Sequence, residues 1–503
     1  MSLQNRFYLL IAVILIIKVF FALMVPMTGD EAYFLFWARY PDYGYYDHTP
    51  MVAWILTAFL AISEHQLWIR LPAIVFSMLI AWIIYKLLSQ NDYSDDSANN
   101  QKIAIYASSI YLLIPVNLVA VLMTTDTPLI WWSFFCGVSY YQAQKHDSMS
   151  WYLICGLFLG LAFLSKFFSG LLAFAFLIHT VIFVRRGIKP YFGLVLIFIA
   201  LLPFIALNLT WNYNNCWNNY LFNLVNRTQG SSFSLSGFGK YLLMLVFIMP
   251  PGIYYLLKNA SSIKALFENG GRHHAYLALF IIPIILFSLL AFFKSIGLHW
   301  LFSFIPFLVL GIASVFTLTQ LEKSLKFMVV FSMIVVFALA YVLIAAPNVF
   351  KSNEKLYKTL VIGYYPNEIL ANVDKYQSDY IFATDSYALS AQLSYHAKKH
   401  LMVFGDGSYH ARQDDLITDY RALKNKNILI ISEVDKLKVF SIFFESYELH
   451  TMMVQGTELY YATGKKFNYE KYRTTIIAKI RERYYKIPKY LPHKACYMDE
   501  RYK

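Results

Sequence analysis

The sequence predicts a polytopic α-helical membrane protein of about eleven transmembrane helices with a C-terminal soluble α/β domain, on three observations. Hydrophobic residues fill 58% of the 503 positions and charged residues only 15%, with a mean hydropathy of +0.48. A soluble enzyme usually carries about a quarter charged residues, and its apolar runs stop short of the roughly 20 residues that cross a bilayer. Here many runs do not stop short, and they end only near Phe350, after which polar and apolar residues mix over about 150 residues, a normal domain size.

Taken in order, 7–24 forms a first span. It is longer than a signal-peptide core and has no small-residue cleavage site, so it reads as a retained anchor. A polar loop over 28–66 follows, within which 51–62 is apolar but short and reads as a helix lying in the membrane interface. Further spans are expected at 71–88, 103–123, 129–141, 151–164, 170–184, 191–211, 241–257, 275–293, 300–318 and 327–346. The chain thus divides into a membrane domain, 1–349, and a second domain, 350–503. In the second, 380–383, 401–404 and 427–431 predict buried strands, 386–397 and 413–423 predict helices, and 447–462 predicts a hairpin. The tail over 469–489 is basic and aromatic.

Lysine and arginine collect in short cytoplasmic loops. Arg185, Arg186 and Lys189 share one loop, Lys258, Lys264 and Arg272 another, and Lys323 and Lys326 a third; with eleven spans all three fall on the side of the N-terminus. The N-terminus is therefore expected in the cytoplasm and the 350–503 domain outside it. The net charge of +13 and pI near 9.2 fit this topology and contact with anionic membrane lipid, and no compact basic motif points to nucleic acid. The four cysteines, Cys136, Cys155, Cys216 and Cys496, show neither metal-ligand spacing nor the pattern of a disulfide scaffold.

The same topology places Asp30, Glu31, Asp47, His48, Arg70, Asp126, Lys166, Lys294 and His299 on one face, at or near span ends. Singly, each has a plain explanation as a snorkelling cation or a solvated loop acid. Together they suit a reaction on a lipid-bound anion. Breaking the anomeric bond of a sugar carried on a polyprenyl phosphate puts positive charge on the sugar and negative charge on the phosphate. Asp30 or Glu31 fits beside the sugar, and Lys166, Lys294, Arg70 and His299 fit beside the phosphate. A hydroxyl acceptor would give its proton to Asp30, whereas a phosphate monoester, already anionic near neutral pH, needs no base. A divalent cation, Mg²⁺ or Mn²⁺, on Asp30 and Asp126 is an alternative use of the acids, although their spacing is no metal signature. Tyr33, Trp37, Tyr45 and Tyr46 serve equally as substrate-lining rings or as an interfacial belt.

The stretch Gly-Asp-Glu-Ala-Tyr-Phe from Gly29, followed by Gly-Tyr-Tyr-Asp-His-Thr-Pro from Gly44, resembles the polyprenyl-phosphate-sugar transferases of GT-C fold, relatives of protein O-mannosyltransferases and lipid A aminoarabinose transferases. Thr124-Thr-Asp-Thr-Pro128, Leu164-Ser-Lys-Phe167 and His299-Trp300 after Lys294 are similar to further elements of that family, in the same order. The departures are Thr49, where many members have proline, and His48, where lipid A transferases carry a phosphate-contacting lysine. The resemblance implies transfer of one sugar from undecaprenyl phosphate at the periplasmic face of the bacterial inner membrane, with inversion at the anomeric carbon. It implies Asp30 as the catalytic carboxylate, Asp126 as its support, and Asp47 and His48 in the donor-phosphate loop. Lipid A or another envelope lipid is the expected acceptor and a protein hydroxyl the nearest rival. A flippase or transporter of lipid-linked sugars shares the spans and basic loops, but it would place ionisable groups near the bilayer midplane and broken helices in paired halves.

Overall fold

The computed structural model describes residues 1–90, 97–184, 187–226, 232–268, 274–407 and 413–502. Arg185, Arg186 and Arg272, used above for orientation, lie outside the described residues. The chain divides into two compact units. A helical unit comprises Met1–Met24, Ser63–Ala206 and Gly230–Ala340; a sheet unit comprises Val25–Ile62, Leu207–Gln229 and Tyr341–Lys503.

In the helical unit the long apolar runs become helices because no water is needed to satisfy their backbone. Among the described residues, five helices are long and apolar enough to cross a membrane: Leu3–Met24, Gln66–Ser89, Lys189–Asn214, His274–Ala291 and Leu318–Ala345. Gln66–Ser89 and His274–Ala291 bury about half of their apolar stretch, whereas Leu318–Ala345 buries 17% and turns Val330, Ile334, Phe337 and Ile344 outward, as a lipid-facing helix does. The other expected spans appear as shorter helices, Met149–Phe163 and Ser169–Phe183 among them, or as Asp126–His146, whose serines, tyrosines and glutamines lower its hydropathy.

Three expected spans are broken rather than continuous. The 103–123 span becomes Ser97–Leu113 and Pro115–Val119; the 241–257 span becomes Leu235–Ile248 and Pro250–Lys258, bent by 96°; the 300–318 span becomes a 3₁₀ helix, Leu298–Phe304, followed by Ile305–Ile312. Each break has a proline in the first turn of its second piece, where the missing N–H is harmless, and at Pro115 and Pro250 the residue before the ring, Ile114 or Met249, is pushed out of helical geometry. Pro203 and Pro283 sit inside unbroken helices, so a proline breaks these spans only where the surroundings also favour a turn.

The sheet unit holds a five-stranded sheet: β1 Ile381–Thr384, β2 Met402–Val403, β3 Ile428–Ser432, β4 Ser446–Val454 and β5 Thr457–Lys465, in the order β2-β1-β3-β5-β4. β1 pairs in parallel with β2 and β3, whereas β4 and β5 form an antiparallel hairpin whose second strand joins β3. Both faces of β3 are covered. Ile428 and Ile430 face a core with Phe404, Tyr420, Phe443 and Tyr472, while Leu429 and Ile431 face a core with Val361, Ile369, Leu389 and Leu393. Unbroken burial of this kind is why the run reads as continuously apolar.

Two local expectations are corrected. The 413–423 helix is instead a single turn, Asp414–Ile417, and a 3₁₀ turn, Tyr420–Leu423, because Thr418 is extended and the Asp419 carboxylate accepts from the Arg421 N–H, starting a new turn. The beginning of the 28–66 loop is a helix, Gly29–Ala38, started by the Thr28 hydroxyl accepting from the Glu31 N–H at 3.2 Å. Thr-x-x-Glu is a helix-start signal that was legible in the sequence. The apolar 51–62 stretch is helical over Met51–Leu60.

Candidate active site

The candidate residues fall into two groups, one in each unit. In the helical unit, the Thr127 hydroxyl accepts from the Thr124 N–H and donates to the Leu122 carbonyl, a turn that brings Asp126 into the first turn of helix Asp126–His146. A carboxylate there meets the positive end of the helix dipole. Lys166 lies in the turn between Met149–Phe163 and Ser169–Phe183, its N–H donating to the Ala162 carbonyl. Its Nζ donates to both carboxylate oxygens of Asp126, at 2.7 and 2.9 Å, with both side chains about nine-tenths buried. The ammonium also lies 5.1 Å from the Phe168 ring, which in turn packs on Trp300 at 4.5 Å. His299 Nε2 stands 3.9 Å from Asp126 Oδ2 on the more exposed side, so a buried ion pair opens onto an accessible imidazole.

Lys294 sits, half-buried, in the turn after helix His274–Ala291, its N–H bonded to the Leu290 carbonyl. Arg70 is fully buried and donates to the Ala22 carbonyl at 2.8 Å, joined there by Gln66 at 2.9 Å. A guanidinium so placed satisfies a carbonyl in the last turn of helix Leu3–Met24.

In the sheet unit Asp30 is exposed in the first turn of helix Gly29–Ala38 and Glu31 beside it is fully buried. The Tyr387 hydroxyl donates to Asp30 Oδ1 at 3.4 Å. The four candidate aromatics are buried. Trp37 stacks on Tyr45 at 4.5 Å and 6°, meets Tyr33 edge-on at 4.8 Å, and has the His48 ring 6.1 Å away. Tyr46 instead enters the sheet core beside Phe222 and Tyr485, its N–H bonded to Gln413 at 2.8 Å. Burial first, and the Asp47 charge second, hold the Tyr33 phenol well above its usual range, so it remains a neutral donor.

The loop bearing Asp47 and His48 is fixed by side chains distant in sequence. Asn219 bonds the Tyr45 carbonyl, Asn223 bonds the Asp47 carbonyl at 2.9 Å, and the Trp211 and Trp54 indole N–H groups bond Asp42. Gly44 lies so close to Trp211 that a Cβ would sit 2.5 Å from its ring, so only glycine fits there.

The alternative use of Asp30 and Asp126, to hold a divalent cation, is not carried by a cluster of protein ligands among the described residues. Both oxygens of Asp126 are occupied by Lys166, and among the described residues no three His, Cys, Asp or Glu side chains converge to hold a metal. The cysteine reading is also corrected: Cys216 and Cys496, 280 positions apart, form a disulfide, while Cys136 and Cys155 remain buried thiols in the helical unit. The signal available in the sequence was that only Cys216 and Cys496 lie outside the apolar spans. Tyr387 and Phe168 were missed altogether. No local pattern marks a tyrosine 357 positions from its acid.

Three comparisons bear on this arrangement. The chain has the GT-C fold: it superposes on ArnT from Cupriavidus metallidurans bound to undecaprenyl phosphate with a TM-score of 0.63, over 92% of this chain and 98% of that one at 14% identity. The apo structure of the same protein matches with the same TM-score over 91% and 98%. Residues 47–211 match the family model described as dolichyl-phosphate-mannose-protein mannosyltransferase. In sequence, the chain is 26% identical over 251 residues to the lipid A galacturonosyltransferase RgtD of Rhizobium johnstonii, a stretch covering 46% of this chain and 50% of that protein. The chain thus spans about half the length of this curated relative. The resemblance to polyprenyl-phosphate-sugar glycosyltransferases, first carried by the motifs, is supported by family model, relative and fold together. The chain is a multi-pass membrane protein.

Proposed function

We propose that this chain is an inverting glycosyltransferase that moves a single sugar from an undecaprenyl-phosphate-linked donor to an envelope acceptor, foremost lipid A, at the periplasmic face of the inner membrane. The observation that carries this reading is the buried Asp126–Lys166 pair beside His299, set in a fold shared along nearly its whole length with a protein that binds undecaprenyl phosphate. The similarity to a lipid A galacturonosyltransferase supports the acceptor.

In this reaction an acceptor oxygen bonds to the anomeric carbon as the bond from that carbon to the phosphate oxygen breaks, and the electron pair stays on the polyprenyl phosphate. Asp30 takes the proton of a hydroxyl acceptor; a phosphate monoester has none to give. Glu31 and Asp126 are the further acids assigned to the reaction, Asp126 through its hold on Lys166. Lys166, Lys294, His299 and the Asp47–His48 loop are assigned to the donor phosphate, where cations lower the barrier by stabilising developing negative charge, while Arg70, fully buried on the Ala22 carbonyl, holds a helix end. Tyr33, Trp37 and Tyr45, packed on one another near His48, are the rings read as lining the substrate, whereas Tyr46 belongs to the sheet core. The N-terminus is assigned to the cytoplasm and residues 350–503 to the periplasm, a placement supported by the disulfide, since such bonds persist in oxidising compartments. A protein hydroxyl is the second acceptor reading, favoured by the mannosyltransferase family match over 47–211.

The test is mass spectrometry of lipid A and of undecaprenyl-phosphate sugars from cells carrying the intact protein or Asp30→Asn. The expected result is loss of one sugar mass from lipid A with accumulation of unused donor. Unchanged lipid A with accumulated donor would move the acceptor to protein; no change in either would remove the transferase reading.

A further inference from the structure

We infer that Tyr387, delivered by the sheet unit, is a positioning residue for Asp30, so that the α/β region forms part of the catalytic apparatus. The inference rests on the proposed function, which assigns the catalytic carboxylate to Asp30.

The start of helix Gly29–Ala38 is fixed against helix Tyr387–Ala397 at four points. Gly29 lies against Ala388 so closely that an added Cβ would stand 3.0 Å from the alanine methyl. Gln392 Nε2 donates to the Met27 carbonyl at 3.0 Å, just before the Thr28 cap. The Tyr33 and Tyr387 rings meet edge-on at 5.2 Å. The fourth point is the Tyr387 hydroxyl, which donates to Asp30 Oδ1 at 3.4 Å. The first three contacts hold the backbone that carries both partners, and the last reaches the carboxylate itself.

The position of Tyr387 follows from the topology. β1 runs parallel to β2 and β3 and ends at Thr384, and helix Tyr387–Ala397 begins three residues later. The Phe404 N–H donates to the Thr384 carbonyl, the Asp385 N–H donates to the Ile431 carbonyl, and the Thr384 hydroxyl donates to the Ser386 carbonyl, so the connection has little freedom. The carboxyl ends of parallel strands are where open α/β sheets present groups to ligands. Here that edge presents a phenol to an exposed acid. A carboxylate held through Oδ1 has Oδ2 left to take the acceptor's proton, and a fixed orientation of the base lowers the cost of reaching the transition state.

Tyr387→Phe keeps the ring contact with Tyr33 and removes only the hydroxyl, whereas Tyr387→Ala removes both. The full-length protein in detergent is assayed with the polyprenyl-phosphate sugar extracted from Asp30→Asn cells as donor and lipid A from the same cells as acceptor. Tyr387→Phe should lower kcat about ten- to hundredfold, the range of a hydrogen bond to a charged group, and leave the donor KM and the thermal midpoint unchanged. It should have no further effect when combined with Asp30→Asn. Full turnover in Tyr387→Phe with loss in Tyr387→Ala would show that the residue only packs, and would overturn the inference while leaving the proposed function intact. Unchanged lipid A together with no accumulated donor in Asp30→Asn cells would instead remove the proposed function, and this inference with it.

Discussion

The two units of the molecule bury different things: the helical unit an aspartate–lysine ion pair and two free thiols, the sheet unit a disulfide. In the helical unit, Asp126 is paired with Lys166, Tyr140 bonds His179 and Thr180 at 2.7 Å, and Lys18 bonds the Asn117 carbonyl. Its two thiols, Cys136 and Cys155, lie 3.5 Å apart without a bond. In the sheet unit, polar side chains bond backbone carbonyls, as with Asn219, Asn223 and Trp217, as well as one another, as with Tyr485 and Asp415, and its two cysteines are covalently joined. The disulfide agrees with the periplasmic placement proposed for residues 350–503, since such bonds persist in oxidising compartments.

The strongest challenge to this contrast is to break the buried pair. Asp126→Leu leaves the Lys166 ammonium buried without its carboxylate and should destabilise the protein by about 3–5 kcal/mol, whereas adding Lys166→Met should restore most of the loss. Thermal unfolding in detergent reads both. A single variant as stable as the parent would mean that the helical interior tolerates a lone charge, contrary to the picture above.

On the sheet side, replacing Cys216 and Cys496 by serine should lower stability by about 2–5 kcal/mol, and reductant should have the same effect on the parent but none on the variant. Insensitivity of the parent to reductant would erase the difference between the two cysteine pairs.

The smallest effect concerns Asp385. Burial holds its carboxyl above the usual carboxylate range, against the lowering influence of the Ser432 hydroxyl at 2.7 Å, and Glu433 is raised by burial and by Asp385. An acid raised in the folded state contributes stability that is fully present below its unfolded value, about 4, and that is lost as pH rises through the folded value. The sheet unit should therefore weaken on going from acid to neutral pH, and Asp385→Asn should flatten that slope and raise the neutral-pH melting temperature slightly. An unchanged slope would detach Asp385 from the pH response.

Much of this fold was legible in the sequence because composition alone identifies apolar spans, and because β1 and β3 were marked by short, nearly unbroken apolar runs. The breaks at Pro115, Pro250 and Pro306 were drawn through, since an apolar window averages over the residue that interrupts it. The helix Gly29–Ala38 is announced by Thr28 and Glu31, but its ten residues lie within a polar stretch whose acids read equally well as chemistry and as first-turn helix residues. In the candidate site, Asp126, Lys166 and His299 were chosen separately and the structure places them together. The contacts of Tyr387 with Asp30 and of Gln413 with Tyr46 join positions more than 350 residues apart, and nothing in either neighbourhood announces the other.

The disulfide has a consequence for how the chain must be made. Its two halves are separated by 280 positions, and the Trp217 indole bonded to the Pro492 carbonyl draws the same two stretches together. A ribosome delivers Cys216 long before Cys496, so throughout the intervening synthesis and membrane insertion the earlier cysteine has no native partner. Oxidation of Cys216 in that interval can only give a wrong product, and any chain that stops short of Cys496 keeps a lone thiol for quality-control machinery to find.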